Sequence, residues 1–210
     1  MNEIFLGFEN VFARQLYFFC GKTLDISDHQ SILKRAKDRY LYCLSRKKMK
    51  HVPSYILNHA DEYTSFLFIL SSEAWKDSNV EVAELAYLLN RRLNNFDCFY
   101  TREMPDVFHL EHPIGSVIGQ AVFGEYLVVY QGVAVGADMK LRYPKIDQGV
   151  ALFAKSSVIG PAIIGSNCAI GAGTQVYGGY VSSDTAVSLR DGLGVVSSPL
   201  TWSVVDRFFK

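Results

Sequence analysis

Between Ile146 and Val181 the chain reads IDQGVALFAKSSVIGPAIIGSNCAIGAGTQVYGGYV. Ile146, Leu152, Val158, Ile164, Ile170 and Val176 open successive units of six residues without a slip. A short fixed period is the mark of a stacked solenoid, in which every unit adds one strand and one corner to a parallel β-helix. One aliphatic side chain per unit enters a narrow core. Small residues, as in Ile164-Gly165 and Ile170-Gly171, allow corners and close approaches that a bulky Cβ would block.

Working outward, the same rule holds more loosely upstream. Phe123, Val129 and Val135 are six apart, Ile118 lies five before Phe123, and Met104 and Leu110 are again six apart. The register breaks between Gly136 and Ile146. The intervening residues, Ala137 to Lys145, are too polar and irregular for a strand and read as a loop thrown out of the solenoid wall. Excursions from a regular scaffold are favoured places for binding and catalysis.

Three features carry a family resemblance. The stretch Leu110-Glu111-His112-Pro113-Ile114-Gly115-Ser116-Val117-Ile118-Gly119 resembles the Leu-Asp-His-x-x-Gly-x-Val-x-Gly motif of the serine O-acetyltransferases. The loop end Arg142-Tyr143-Pro144-Lys145-Ile146 resembles that family's Arg-His-Pro-Lys-Ile, and Asp97 stands fifteen residues before His112, at the family's spacing between its catalytic Asp and His. The likeness runs from about Phe96 to Val181. It implies a left-handed β-helix, an exception to the right-handed crossover rule. The expected fold class is therefore α+β: an N-terminal α-helical domain followed by a left-handed parallel β-helix of hexapeptide repeats. The expected boundaries are 1–95 for the helical domain, 96–190 for the acyltransferase domain and 191–210 for a capping tail.

Composition narrows the partners. Lysine plus arginine and aspartate plus glutamate balance at 21 each, and no basic stripe is interleaved with aromatics, so a nucleic-acid surface is not expected. The run Arg46-Lys47-Lys48-Met49-Lys50 reads as a solvated helix end. Cys20, Cys43, Cys98 and Cys168 lack metal-site spacing and read as reduced packing residues of a cytoplasmic protein. No apolar run approaches the ~20 residues of a membrane span, and Glu3, Glu9 and Arg14 interrupt the N-terminal stretch as no secretory signal would.

Residues 1–95 contain one proline, Pro53, and no sixes. Ser27-x-x-Gln30 and Ser78-x-x-Glu81 match the capping-box pattern. Ile32, Leu33, Ala36, Tyr40 and Leu44 follow the first at helical spacing, and Val82, Leu85, Ala86 and Leu89 follow the second. Tyr63, Phe66, Leu67 and Leu70 mark another apolar face, and Glu3 to Phe19 a first helix. Trp75, Tyr63, Phe66 and Phe68 are expected in the core.

Acetyl transfer from a thioester to a hydroxyl needs a base, donors for the oxyanion and a groove for the cofactor. Imidazole suits the base, since its reference pKa of about 6.5 lies near physiological pH. His112 is the candidate base and Asp97 the candidate that orients it. The resemblance assigns Glu111, Arg142 and Tyr143 to the acceptor, with two departures. Glu111 stands where the family has Asp, and Tyr143 where it has a second His. The resemblance also assigns acetyl-CoA, the acyl donor, to the small residues Gly136, Ala137, Ala154 and Ala172. His109, three residues from His112, raises a zinc reading, but His29, His51 and His59 all lie in the helical half, so no metal is expected and His109 reads as a wall residue. A homotrimer or dimer of trimers follows from the cofactor groove's need for a second solenoid. Three functions stay open: an O-acetyltransferase for serine or a similar small hydroxyl compound, one for a sugar or glycan, and a trimeric scaffold without turnover.

Overall fold

The computed structural model describes residues 3–49, 53–190 and 192–210. Lys50 of the basic run, His51 and Asp191 lie outside them. The repeat region forms a parallel solenoid whose circuits visit three sheets. One sheet stacks β1 (Asp97–Cys98), β3 (Val117–Ile118), β6 (Ala134–Gly136), β9 (Ser157–Ile159) and β12 (Gln175–Tyr177). A second stacks β4 (Val122–Phe123), β7 (Lys145–Ile146), β10 (Ile163–Ile164) and β13 (Tyr180–Val181). The third stacks β2 (Phe108–Leu110), β5 (Leu127–Val129), β8 (Val150–Leu152), β11 (Cys168–Ile170), β14 (Thr185–Arg190) and β15 (Gly194–Pro199). All pairings are parallel except the closing β14–β15 hairpin.

The six-residue rule is a burial rule. Ile146, Leu152, Val158, Ile164 and Ile170 are buried, as are Leu110, Ile118, Val129 and Val135 on earlier circuits. Phe123 and Val176 are partly buried against the same core. Glycine is required where circuits nearly touch. A Cβ on Gly124 would lie 2.5 Å from the Gln148 amide nitrogen, and one on Gly165 would lie 2.6 Å from that of Ser183. The register break is a loop: residues 137–144 leave the wall after β6, and β7 returns in register with Val122 opposite Lys145.

The helical domain comprises α1 (Phe8–Gln15), which runs into a π-helical turn at Leu16–Cys20, then α2 (Gln30–Arg46), α3 (Ala60–Lys76) and α4 (Val80–Asn94). The expected apolar faces are buried, and Phe5, Phe8, Tyr40 and Phe66 form an aromatic cluster. Both capping boxes are displaced. Asp25, not Ser27, caps the first segment by accepting the Ser27 N–H in a 3-10 turn that precedes α2. Asn79 caps α4 by accepting the Val82 N–H at 3.1 Å, while Ser78 turns the chain at φ +59°. Trp75 is 42% exposed rather than core, resting on Tyr100.

The basic run is a solvated helix end only in part: Arg46 and Lys48 are exposed, but Lys47 turns inward. Lys47 is buried and bonds both carboxylate oxygens of buried Glu62, at 2.9 and 3.0 Å. The tail does not merely cap the open end. The β14–β15 hairpin closes the solenoid, and α5 (Val204–Phe208) then packs back across the third sheet. Val204 and Phe209 bury themselves there against Val107, Val128 and Ala151.

Candidate functional site

Four corners join the third sheet to the first. Three of them are four residues long, at 130–133, 153–156 and 171–174, whereas the first, 111–116, has six. His112 lies in that longer corner at φ +49°, and its side chain is 71% exposed. A left-handed backbone at a bulky residue is uncommon and concentrates at functional positions. The His112 backbone N–H donates to Asp61 Oδ2 at 3.0 Å. Its ring Nδ1 lies 3.4 Å from the same oxygen, and its Nε2 lies 3.8 Å from Glu111 Oε1. One carboxylate thus binds the backbone and lies beside the ring. Asp61 sits in the first turn of α3, so the helical domain holds the solenoid's first corner.

Glu111 has a partner of its own. Its Oε2 lies 2.7 Å from His109 Nε2, and this hydrogen bond holds the Glu111 carboxyl below its usual pKa, with the nearby His112 adding to the effect. His109 is a buried wall residue, as expected, but its ring is engaged at the site. With Nε2 donating to Glu111, the buried Nδ1 is left without a partner. Glu111's extra methylene gives the carboxylate its reach back to His109.

These groups face a cleft of about 550 Å³ lined by Asp61, His109, Glu111, His112, Tyr130 and Arg207, among others. Leu110, Val129, Leu152 and Ile170 are paired in register. The residues two places further, His112, Gln131, Ala154 and Ala172, therefore occupy successive steps of one corner. Two of the small residues assigned to the cofactor line up below His112. Gly136 and Ala137 stand at the opposite end of the first sheet, where the 137–144 loop departs.

The other expected site residues do not line this cleft, although the Asp97 backbone N–H donates to the Ser116 carbonyl at the end of the His112 corner at 3.0 Å. Asp97 accepts from the Tyr87 hydroxyl at 2.9 Å and sits 3.4 Å from Arg91 Nη2, on α4. No hydrogen bond or ion pair joins it to His112 among the described residues. Arg142 is turned into its own loop. Asp138 accepts from the Arg142 Nε at 2.7 Å and from the backbone N–H groups of Lys140 and Arg142, and Arg142 holds the Asp138 carboxyl below its usual range. Tyr143 is exposed on that loop, beside Met139 and Leu141. Two groups in the cleft carried no mark in the sequence. Asp61-Glu62 is an acidic pair at a helix start, where carboxylates are common because of the helix dipole. Arg207 sits in a tail with no repeat. Among the described residues, no group of three or more His, Cys, Asp or Glu side chains is placed to hold a metal, and no helix is long and apolar enough to cross a membrane.

No family model matches the chain. Curated relatives do. The chain is 32% identical over 105 residues to a serine acetyltransferase of Synechococcus elongatus, an overlap of 48% of this chain and 43% of that protein. It is 25% identical over 138 residues to a serine acetyltransferase of Staphylococcus xylosus, an overlap of 64% of each. In both cases it spans less than two thirds of the relative's length. Among solved structures, serine acetyltransferase from Brucella abortus strain S19 in complex with coenzyme A superposes with a TM-score of 0.70 at 18% identity, covering 93% of this chain and 83% of that one. The Neisseria gonorrhoeae serine acetyltransferase in complex with serine superposes at 0.65 with 22% identity, covering 91% and 83%. The architecture, N-terminal helices followed by a parallel β-solenoid, is theirs. In sequence the chain is similar to these serine acetyltransferases, and in fold it is a hexapeptide-repeat solenoid like their solved structures.

Proposed function

We propose that this chain transfers an acetyl group from acetyl-CoA to the hydroxyl of a small acceptor, with His112 as general base. The observation that carries the reading is the placement of His112. It stands on a lengthened corner between Asp61 and Glu111, at the mouth of a cleft and at the head of the column formed with Ala154 and Ala172. The relatives named serine acetyltransferase, and their structures with serine and with coenzyme A, support the same reading.

The chemistry follows from the geometry. The His112 Nδ1 lies 3.4 Å from Asp61 Oδ2, and with the ring hydrogen on Nδ1 the Nε2 lone pair is left for the acceptor hydroxyl. As the acceptor oxygen bonds to the thioester carbonyl carbon, its proton passes to Nε2 and the carbonyl electrons move onto oxygen. When the tetrahedral intermediate collapses, the carbon–sulfur bond breaks and the thiolate takes the proton back from the imidazolium. The products are the acetyl ester and the free thiol, with His112 neutral again. Asp61 stabilises the imidazolium in between, as the carboxylate does in other His-centred sites. In this chain Asp61 takes the orienting role that the resemblance gives to Asp97. Glu111, ionised, favours an amino group beside the acceptor hydroxyl.

Arg142 and Tyr143 do not line their own chain's cleft, and they sit on a loop whose tip exposes Met139 and Leu141. Gly136 and Ala137 lie at the far corner from Ala154 and Ala172. A homotrimer would bring one copy's loop and far corner to the next copy's cleft, and would form the acetyl-CoA groove between them.

The test is thiol release from acetyl-CoA against L-serine, L-homoserine and a set of sugars, in the parent and in His112→Ala. Turnover with at least one hydroxyl acceptor is expected, together with a loss of ~10²–10⁴ in kcat and nearly unchanged acetyl-CoA affinity in the variant. Near-normal turnover in His112→Ala would move the base elsewhere and overturn the mechanism.

A further inference from the structure

The C-terminal segment is pinned beside the cleft from both sides. The Val204 N–H donates to Asn167 Oδ1 on the solenoid at 2.9 Å, and Ser203 Oγ caps α5 by accepting the Asp206 N–H at 3.0 Å. Beyond the helix, the Phe208 carbonyl accepts the Lys48 N–H at 2.8 Å, the Lys210 N–H donates to the Arg46 carbonyl at 2.7 Å, and Phe209 is buried. Side chains of α5 that face the cleft are thereby fixed relative to both domains. Phe208 packs 6.1 Å from the His109 ring and 6.4 Å from that of Tyr130, and Arg207 lines the same cleft as His112.

Arg207 differs from the other charged groups there. The three carboxylates lining the cleft are engaged: Asp61 with His112, Glu62 with Lys47, and Glu111 with His109. The other cation, Lys48, gives its Nζ to the Asp206 carbonyl. Arg207 is instead carried on aromatic faces, its guanidinium 5.2 Å from the Trp202 ring centre and 5.9 Å from that of Phe208. A cation–π contact of this kind holds a guanidinium without occupying its N–H donors, whose fork matches a carboxylate. Tyr130, half-buried on the second corner, lines the same cleft as Glu111 and Arg207. Arg142, the arginine that the sequence offers for an anion, is bound by Asp138.

We propose that Arg207 determines acceptor specificity: it receives the carboxylate of a small hydroxy acid whose hydroxyl reaches His112, so that the C-terminal helix completes the acceptor site. The proposal rests on the acetyl-transfer reading above. It makes the acceptor a hydroxy acid rather than a neutral sugar, and a hydroxy amino acid would also place its ammonium near Glu111.

The experiment compares the full-length parent with Arg207→Gln and Arg142→Gln. Arg207 is exposed near the end of a short helix, so its variant should fold, which circular dichroism checks. Binding is measured by calorimetry without acetyl-CoA, using L-serine, L-homoserine and L-serinamide. KM values for acceptor and for acetyl-CoA are measured alongside. The parent should bind the carboxylates more tightly than the amide. Arg207→Gln should weaken carboxylate binding and raise the acceptor KM by roughly 10- to 100-fold, the worth of a charge-assisted hydrogen-bonded pair, with serinamide binding and the acetyl-CoA KM unchanged. Retention of the carboxylate preference in Arg207→Gln, its loss only in Arg142→Gln, a rise in the acetyl-CoA KM alone, or a parent that binds no carboxylate would each overturn the proposal. Carboxylate binding without acetyl transfer to any acceptor would instead sink the acetyl-transfer reading and leave the Arg207 contact standing.

Discussion

His112 shows how much one corner residue can concentrate. Its backbone amide donates to Asp61 and its ring lies 3.4 Å from the same carboxylate, so removing that charge disturbs both contacts at once. Asp61→Asn should therefore lower kcat at least ~10-fold with the acetyl-CoA KM nearly kept, and by more than Asp97→Asn does. Equal losses in the two variants would return Asp97 to the orienting position. His109 is the second residue whose role emerges from contact. His109→Leu removes the donor that holds Glu111, so the acceptor KM should rise roughly tenfold while the acetyl-CoA KM stays. The same contact has a pH signature with a definite sign. The Glu111 carboxyl is depressed in the folded protein, chiefly by His109, so its contribution is present above the unfolded carboxyl value and is lost as pH falls through the folded one. Parent and His109→Leu should differ in urea midpoint at neutral pH and converge in acid. A difference that grows on acidification would rule out this linkage.

Among elements, the corners carry the functional information and the strands supply spacing. The core-facing strand residues repeat almost without change, but one corner is lengthened to lift His112 and one excursion carries Arg142 and Tyr143 outward. Successive circuits approach so closely that side chains are excluded at defined points. Gly165→Ala would set a Cβ against the Ser183 backbone at 2.6 Å, where no flexible side chain can yield. A cost of about 1–3 kcal/mol is expected from the forced shift, read as a lowered urea midpoint. An unchanged midpoint would show that adjacent circuits can spread without loss. The capping boxes teach a related lesson at the helix ends. Asp25 accepts the Ser27 N–H and Asn79 the Val82 N–H, and a pattern of residue types does not say which of several neighbouring side-chain oxygens is aimed at a helix-end N–H.

At the scale of the whole molecule, a buried ion pair joins the parts. Lys47 ends α2, bonds Glu62 of α3 and bridges to Phe209 of the tail, directly behind Asp61. Lys47→Met would strand a carboxylate in the interior. A loss of about 3–5 kcal/mol is expected, seen as an early urea transition. Replacing both partners, Lys47→Met with Glu62→Leu, should recover much of it. A single variant as stable as the parent would mean that Glu62 finds water or another partner.

The sequence by itself determined the solenoid, its excursion after Gly136, the helical faces before it and the corner that carries His112. Those are local properties: a period of six or a helical spacing is written along the chain and is enforced by burial of one face at a time. It could not determine the cleft. Asp61 reaches His112 across 51 positions, Lys47 turns inward from a run that looks solvated, and the tail crosses a sheet to deliver Arg207. None of these contacts has a period or a spacing. Each exists because two domains pack against each other, and only the packing decides which charge faces water and which faces a partner.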